Sequence, residues 1–256
     1  MISWLKPSWK KVKTNVQAII TTRKGGVSLG NYAAMNLANH VGDDISHVEK
    51  NRLILLKELK LPQQPVWLEQ IHSNDVFVSC SDQSPLTPPK ADACITQYPG
   101  QAAAVLTADC LPILISNHEG TEVAAIHAGW RGLANGICES TAKKMHTDFS
   151  ECSAWIGPAI GARAFEVGTE VRNIFITKNA LWSEFFQEKS FDISVYPNDK
   201  KWLGDLAGIA ENHLKQLGMD EVVCSKLCTF EQSDSFFSYR KQSITGRFAS
   251  LIWMKD

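Results

Sequence analysis

Apolar positions along the chain follow two different periods, and each period predicts a type of secondary structure. Residues 45–61 place apolar side chains at helical spacing on one stripe, and residues 132–146 do the same. We therefore predict two amphipathic helices. Their apolar stripes comprise Ile45, Val48, Leu55, Leu56 and Leu59 in the first helix and Leu133, Ile137, Thr141 and Met145 in the second.

Other apolar segments are short and bounded by turn residues, which is typical of strands. Residues 16–26 predict a strand that ends in a Gly-Gly turn, and residues 66–80 alternate in part and predict another. Residues 102–116 and 121–129 flank the turn sequence NHEG at 117–120, which predicts a β-hairpin. Strand-like and helical segments alternate to the end of the chain without a repeat or a linker, so we expect a single α/β domain.

Composition narrows the class of protein. The chain has 256 residues, of which 44% are hydrophobic and 21% charged, and its formal net charge is −1. These values are typical of a globular protein, and they give no reason to expect a nucleic acid or a membrane as partner. We recognise no signal peptide or membrane-spanning run, and the seven cysteines lack the spacing of a disulfide framework. We expect one cytoplasmic domain over residues 1–256, a monomer or weak dimer with reduced thiols.

The predicted hairpin would place a thiol beside an imidazole. If the chain turns near residues 118 and 119, Cys110 lies opposite His127 or Ala128. Directly paired residues have Cβ atoms about 4.5–5.5 Å apart. A neighbouring cysteine and histidine can form a nucleophile pair, bind a metal, or simply fill two strands. The two residues alone do not choose among these three readings.

His72, in the sequence EQIHSND, is a third candidate for the same site. Together with Cys110 and His127 it would supply three metal ligands, and catalytic zinc typically has three protein ligands and one open position. Asp109 directly precedes Cys110 and is placed to orient a ligand or a bound water. A regular strand would, however, point the Asp109 side chain to the opposite face.

Three arginines suggest an anionic substrate. Arg52 falls on the apolar stripe of the first predicted helix, where its guanidinium must either extend to water or bind a carboxylate or phosphate. Arg23 precedes a Gly-rich turn that can present backbone N–H groups to an anion. Arg131 lies at the start of the second predicted helix, where the helix dipole also favours anions.

Many of the segments above occur together, in the same order, in one known family. The whole chain closely resembles the laccase-domain family, whose members are named polyphenol oxidase, peptidoglycan editing factor or purine nucleoside phosphorylase. The ADC and HAGWRG motifs at this spacing are the most specific of the shared features. The motifs are TTRKGGVSLGNYAAMNLANHVGDD, NR at 51–52, WLEQIHSNDV, ADACIT, LTADCLPIL, HAGWRG, GPAIGARAFEVGTEV, CTF and FFSYRKQSITGR.

The resemblance implies a four-layer α/β/β/α fold with mixed sheets, related to cysteine hydrolases. It also implies a metal site at His72, Cys110 and His127. The implied activity is phosphorolysis of adenosine, inosine and methylthioadenosine, with adenosine deamination as a second activity, and bacterial members are also linked to correction of peptidoglycan precursors. Ser73 stands where the family often has glycine, next to but outside the ligand set.

The family's older label, oxidation by a copper cluster, fits these residues poorly. Such clusters use paired H-x-H segments, whereas none of the seven histidines forms such a pair. One Cys/His/His site suits a single copper as well as zinc, and we expect zinc in a reducing cytoplasm.

The implied reactions assign further residues. Deamination needs zinc-activated water and a carboxylate that carries protons, for which Asp109 and Glu69 are candidates. For phosphorolysis, Arg52 is expected to bind phosphate with help from Arg23 or Arg131. Asn36 and Gln70 are expected to contact the substrate. The predicted catalytic residues are therefore Cys110, His127, Asp109 and Arg52.

Three alternatives to the phosphorylase remain at this point. One is a cytoplasmic hydrolase that corrects peptidoglycan precursors through a Cys-His or zinc site; in the metal-free form of such a hydrolase, Cys110 would be the nucleophile and His127 the base. Another is a single-copper polyphenol oxidoreductase. A regulatory binding module would bind purines without turnover. Cys228, Tyr239 and Arg240 are further candidates for the wall of a pocket.

Overall fold

Thirteen strands and five α-helices occupy the parts of the chain that the computed structural model describes, residues 2–189 and 200–255. The helices are α1 (Ile45–Leu59), α2 (Trp130–Asn135), α3 (Ile137–Lys144), α4 (Thr169–Lys178) and α5 (Leu206–Gln216). The strands are β1 (Trp4–Leu5), β2 (Val16–Thr21), β3 (Val76–Val78), β4 (Ala93–Thr96), β5 (Ala103–Thr107), β6 (Leu111–Asn117), β7 (Val123–Ala128), β8 (Cys152–Ile156), β9 (Glu166–Gly168), β10 (Phe186–Glu188), β11 (Lys201–Gly204), β12 (Glu221–Cys224) and β13 (Phe248–Met254).

The strands form two large sheets and one small one. The four-stranded sheet is antiparallel, in the order β1-β2-β13-β5. The six-stranded sheet has the order β12-β8-β6-β7-β4-β3 and is mixed, because β12 runs parallel to β8 and β3 runs parallel to β4. Strands β9, β10 and β11 form the small antiparallel sheet.

The two-residue period of each strand divides its side chains between two cores. Ile20 and Leu114 belong to the core between the two large sheets. Ile19 packs with Leu55 of α1 on the outer face of the four-stranded sheet, and Ile113 packs with residues of α3, α4 and α5 on the outer face of the six-stranded sheet. The layers are therefore helix, sheet, sheet and helices, which confirms the expected α/β/β/α fold with mixed sheets.

The predicted strand over residues 102–116 is two strands that belong to different sheets. β5 pairs with β13, whereas β6 pairs with β7 and β8. The chain crosses from one sheet to the other at residues 108–110, where Asp109 has a φ of 91° that no regular strand allows. The continuous apolar character of this segment hid the break, because both strands are buried on both faces.

The hairpin exists, but its predicted register was wrong. His127 pairs with Pro112, and Cys110 lies just before the first residue of β6. The turn is displaced because the Asn117 side-chain oxygen accepts hydrogen bonds from the backbone N–H groups of Thr121 and Glu122, at 2.9 and 3.0 Å. Because of this turn, each residue of β6 pairs with a residue of β7 one or two positions further along the chain than a turn at residues 118 and 119 would give.

The strand predicted over residues 66–80 was mostly wrong. Only Val76–Val78 forms a strand, and the preceding residues turn sharply at His72, whose φ is 59°. The Gln70 side chain bonds to the backbone of Leu106, with Nε2 donating to the carbonyl oxygen at 2.8 Å and the amide nitrogen donating to Oε1 at 2.7 Å. Side-chain bonds of this kind have no signal in an alternating pattern.

Both predicted helices form, with altered bounds. The first ends at Leu59 because Lys60 adopts a left-handed conformation, and Ile45, expected on the buried stripe, is half exposed. The second begins earlier and is broken at Gly136, whose φ of 92° separates α2 from α3. Its predicted apolar face is nevertheless buried. The strand expected over residues 16–26 ends at Thr21.

All seven cysteines are unbridged. Among the helices of the described residues, none combines the length and the apolar character that crossing a membrane requires.

Candidate active site

The crossing between the two sheets forms the floor of a cleft of about 590 Å³. The end of β5 leads into it, the end of β7 and the start of α2 form one side, and the segment before β13 forms another. Its lining residues are His40, Gln70, His72, Leu106, Thr107, Ala108, Asp109, Cys110, His127, Trp130, Arg131, Ile160, Phe165, Leu206, Tyr239, Arg240 and Arg247.

Three side chains with metal-binding atoms meet in this cleft. The thiol of Cys110 and one ring nitrogen each of His72 and His127 all lie within 4.8 Å of one another. The Cys110 sulfur is 4.0 Å from Nε2 of His72, and the two imidazole rings meet edge to face with centroids 4.8 Å apart. Across residues 2–189 and 200–255, this is the one group of three or more such side chains with ligand geometry.

Asp92 holds both histidines, and sequence reasoning missed it. This fully buried carboxylate accepts a hydrogen bond from Nδ1 of His127 at 2.8 Å and from the backbone N–H of His72 at 3.0 Å. It also accepts bonds from the backbone and the hydroxyl of Ser73, at 2.6 and 2.9 Å. A carboxylate on Nδ1 leaves Nε2 of His127 to face the cleft. The available signal was a lone acidic residue, in ADACIT, at the start of an apolar strand.

The positive φ of His72 depends on this network. A non-glycine residue in this region costs roughly 1–2 kcal/mol. The bonds from Asp92 to the backbone of residues 71–73 hold the turn. They thereby compensate the cost and direct the imidazole of His72 toward Cys110.

Gly129 of the HAGWRG motif is required by close packing at the same place. A Cβ atom at this position would lie 3.0 Å from the Cys110 sulfur and 3.0 Å from Cδ2 of His72. Real Cβ atoms rarely come so close to fixed neighbours, so any side chain here would displace two of the three candidate ligands. The glycine that follows His127 thus makes room for the cluster.

The charges of the cluster are coupled. Burial alone would raise the pKa of the Cys110 thiol, but the adjacent His127 and His72 outweigh burial and lower that pKa. Burial would also lower the pKa of His127, but the Cys110 thiolate and the Asp92 carboxylate outweigh it and raise that pKa. The site therefore favours a thiolate next to an imidazolium, which is the reactive form of a Cys-His pair and one proton away from a metal-binding form.

The donor set fits a metal ion. Zinc bonds to nitrogen at about 2.0–2.1 Å and to sulfur at about 2.3 Å, so tetrahedral ligand atoms lie about 3.5 Å apart. The observed ligand atoms lie within 4.8 Å of one another, so they would approach by up to about 1.3 Å to reach this geometry. Three protein ligands in an open cleft leave room for a fourth, and the Asp92–His127 bond is the outer hydrogen bond usual for metal-binding histidines. Nitrogen and thiolate ligands suit zinc and copper alike.

Of the two carboxylates predicted to carry protons, only Asp109 lines the cleft. Its oxygens accept bonds from the Thr229 hydroxyl and the Arg240 backbone N–H, both at 2.6 Å. Glu69 lies outside the lining and forms an exposed ion pair with Lys90 at 3.8 Å. The positive φ of Asp109 takes this residue out of a regular strand, so the side-chain direction expected from strand alternation does not apply to it.

The predicted anion-binding residues separate into two groups. Arg131 lines the cleft, with its guanidinium 4.4 Å from the centre of the Trp130 ring. Arg52 and Arg23 lie outside the lining. Arg52 donates from Nε and Nη2 to the carbonyl of Leu37, at 3.0 and 2.9 Å.

Arg52 and Arg23 are engaged with the protein itself. The Arg52 guanidinium also stacks on Trp67, at 4.4 Å from the ring centre. Arg23 donates to the carbonyls of Ala33 and Ser233, at 2.8 and 2.9 Å. Both arginines therefore hold loops together in this structure.

The two predicted substrate-contacting amides also bond to the protein. Gln70 lines the cleft, but both its side-chain nitrogen and its side-chain oxygen are hydrogen-bonded to the backbone of Leu106. Asn36 is fully buried and outside the lining, and its side-chain oxygen accepts the backbone N–H of Arg247 at 2.9 Å.

His40 and Arg247 line the cleft and were missed by sequence reasoning. The signal for Arg247 was its place at the end of FFSYRKQSITGR, the segment that also contains the predicted pocket-wall residues Tyr239 and Arg240. Both of those residues do line the cleft. Cys228 lines a separate cavity of about 290 Å³, where its sulfur accepts the backbone N–H of Gly161 at 3.2 Å.

The fold and the cleft define a class of protein, namely an α/β/β/α domain with a candidate mononuclear metal centre where the chain crosses between its sheets. The chain belongs to the family described as multi-copper polyphenol oxidoreductase laccase, whose family model matches residues 17–255. This membership confirms the resemblance seen in the motifs.

Relatives of known name cover the whole chain. It is 42% identical over 254 residues to the purine nucleoside phosphorylase YfiH of Escherichia coli K12, across 99% of this chain and 100% of the relative. It is 41% identical to the purine nucleoside phosphorylase PA4543 of Pseudomonas aeruginosa, across the full length of both.

Solved structures share the same fold. The Neisseria meningitidis protein NMB0706 matches with a TM-score of 0.90 and 42% identity, across 99% of each chain. YlmD from Geobacillus stearothermophilus matches with a TM-score of 0.85 and 27% identity, across 99% of this chain and 96% of that one.

Proposed function

We propose that this protein is a purine nucleoside phosphorylase that acts on inosine, adenosine and methylthioadenosine. The observation that carries the proposal is the composition of the cleft, in which a three-ligand cluster lies beside cationic and aromatic side chains. The full-length relatives named purine nucleoside phosphorylase support the class of substrate.

The reaction places defined demands on the cleft. A phosphate oxygen forms a bond to C1′ of the ribose while the bond between C1′ and N9 of the purine breaks. The electron pair of that bond stays on the purine, which takes up a proton, and the products are the free base and the pentose 1-phosphate. Cationic side chains can hold the phosphate against the sugar, and aromatic side chains such as Trp130, Phe165 and Tyr239 suit a purine ring.

His72, Cys110 and His127 would hold zinc in this proposal, with a single copper as the other metal that the donors accept. When bound, the metal supplies positive charge and Lewis acidity to the cleft. Asp92 fixes the two histidines, Gly129 gives the ligands room, and Gln70 ties the His72 turn to β5. The protein's own part is thus to hold three ligands rigidly at the floor of the cleft.

Deamination of adenosine is a second activity that we propose for the same cleft. Asp109 favours it, because among the cleft-lining residues Asp109 is the one carboxylate, and it directly precedes Cys110. Replacing the purine amino group by an oxygen from water requires a group that moves protons, and a carboxylate near the metal ligands suits that task.

A product assay on metal-quantified protein tests both activities. Inosine is incubated with and without phosphate, and hypoxanthine, ribose 1-phosphate and free ribose are separated; adenosine is assayed in parallel for ammonia. We expect hypoxanthine only when phosphate is present. Cys110→Ser should abolish its release, whereas Cys228→Ser, a matched change of a thiol outside the cleft, should retain it. Equal activity of both variants would refute the assignment of the site.

A further inference from the structure

The cleft carries more positive than negative side chains. His40, Arg131, Arg240 and Arg247 line it, against the single carboxylate of Asp109. That carboxylate is already bonded to the Thr229 hydroxyl and the Arg240 backbone. The lining therefore holds three guanidinium groups, of Arg131, Arg240 and Arg247, and one carboxylate.

Arg247 is held rigidly at this place. Its backbone N–H donates to the Asn36 side-chain oxygen at 2.9 Å, and its carbonyl accepts the Leu37 N–H at 3.1 Å. The preceding Gly246 allows this approach, because a Cβ there would lie 2.7 Å from Phe237 and 2.9 Å from Cβ of Asn36. The buried amide of Asn36 thus fixes the backbone that presents Arg247 to the cleft.

The guanidinium of Arg247 is only partly used by the protein. Nη1 donates to the carbonyls of Thr245 and Gly246, at 2.9 and 3.0 Å. Among the described residues, Nε and Nη2 form no hydrogen bond or ion pair; the guanidinium lies 5.7 Å from the centre of the Tyr239 ring, and the charges of Cys110 and Asp109 act on it at longer range. A half-buried guanidinium with one free edge is suited to a bidentate bond with an oxyanion.

His40 and Arg52 lie within electrostatic reach of the same place. Burial lowers the pKa of His40, and the positive charges of Arg247 and Arg52 lower it further. Arg52 lies outside the lining and donates to the carbonyl of Leu37. A lowered pKa leaves the His40 ring neutral at pH 7, so His40 can donate a hydrogen bond to an oxyanion in the cleft, while Arg247 supplies the charge.

We propose that Arg247 and His40 form an oxyanion subsite of the cleft that binds inorganic phosphate, with Arg52 adding positive charge from behind. This inference rests on the proposed phosphorylase function, because it names where the phosphate of that reaction is held. The sequence led us to expect Arg52 as the phosphate-binding residue. This proposal assigns that contact to Arg247 instead. Arg247 and Cys110 line the same cleft, which puts the bound phosphate in the cleft that holds the ligand cluster.

Phosphate binding is measured directly, by titration calorimetry of the metal-loaded protein with inorganic phosphate, independently of turnover. Arg247→Gln should weaken binding at least tenfold, and Arg247→Lys should restore only part of the affinity, because an ammonium lacks the planar fork. Arg163→Gln is the matched control, since that exposed arginine pairs with Glu231 outside the cleft, and it should leave affinity unchanged. Wild-type affinity in a folded Arg247→Gln protein overturns the proposal.

His40→Ala covers the case in which Arg247→Gln fails to fold, because the exposed His40 side chain makes no hydrogen bond with the described residues. It should weaken phosphate binding two- to fivefold, and an unchanged affinity overturns the proposal. Inosine monophosphate is titrated in parallel. If Arg247→Gln weakens the binding of this nucleotide but not of phosphate, the subsite binds a phosphorylated nucleoside and the assignment to free phosphate is wrong.

The outcome for the subsite is separable from that for the reaction. Arg247-dependent phosphate binding without purine release supports the subsite and rejects the phosphorylase. Phosphate-dependent purine release whose KM for phosphate is unchanged in Arg247→Gln supports the phosphorylase and rejects the subsite.

Discussion

Replacing Asp92 by Asn should loosen the candidate metal centre without touching any ligand. The amide keeps the size of the carboxylate but loses its charge and one of its two acceptor oxygens. Asp92 accepts bonds from His127 and from the backbone of His72 on one oxygen, and from Ser73 on the other. The amide must therefore point an N–H group at one of these donors.

The size of the effect follows from these contacts. Loss of an outer-shell partner typically costs about 10- to 100-fold in metal affinity, which corresponds to about 1.4–2.7 kcal/mol. The buried donor left without an acceptor adds about 1–3 kcal/mol of lost folding stability. The imidazolium form of His127 also loses a charge that stabilises it, so its pKa should fall.

Zinc affinity is measured by competition with a chromogenic chelator, and stability by thermal unfolding of the metal-free protein. Asp75→Asn is the matched control, because Asp75 is exposed in the same turn region and its carboxylate bonds to none of the described residues. Wild-type zinc affinity in a folded Asp92→Asn protein would refute the argument that Asp92 positions the ligands.

Three further changes test other parts of the account. Gly129→Ala should lower zinc binding at least tenfold while the metal-free protein still folds, because its Cβ would collide with Cys110 and His72; stoichiometric zinc at wild-type affinity contradicts this. Gly136→Ala should destabilise the protein by roughly 1–2 kcal/mol, because only glycine adopts its φ of 92° without strain; an unchanged melting temperature contradicts this. Burial raises the pKa of Glu139, but hydrogen bonds from His213 and Lys178 outweigh burial and lower that pKa from 4.5 to about 2. The contribution of Glu139 to folding stability is therefore complete above pH 4.5 and is lost as the pH falls toward 2. Glu139→Gln should therefore be less stable than wild type at neutral pH, and the gap should close by pH 2; a gap that is independent of pH contradicts this.

The strand and helix periods predicted an α/β domain because they are local properties, whereas the four layers were implied only by the resemblance to the family. The sequence also located Cys110 and His127 near one another, although it placed them in direct pairing that the structure does not have. The error came from Asn117, whose side chain sets the turn, and such bonds leave no periodic trace.

The parts that could not be predicted depend on contacts between distant segments. Asp92 and His72 meet across 20 residues of sequence, and Asn36 reaches Arg247 across 211. For Arg52, the sequence showed a charged residue on an apolar stripe, which suggested an anionic ligand. In the structure its guanidinium instead bonds to Leu37 and stacks on Trp67. A pattern along one helix cannot tell which neighbour satisfies a buried charge.

The most direct test of the central claim is the transfer of labelled phosphate. Inosine is incubated with radiolabelled inorganic phosphate and zinc-quantified protein, and the products are resolved by chromatography. The account predicts that label appears in ribose 1-phosphate in equal amount to the hypoxanthine released, and that Arg163→Gln behaves as wild type. Hypoxanthine released together with free ribose and without incorporation of label would contradict it.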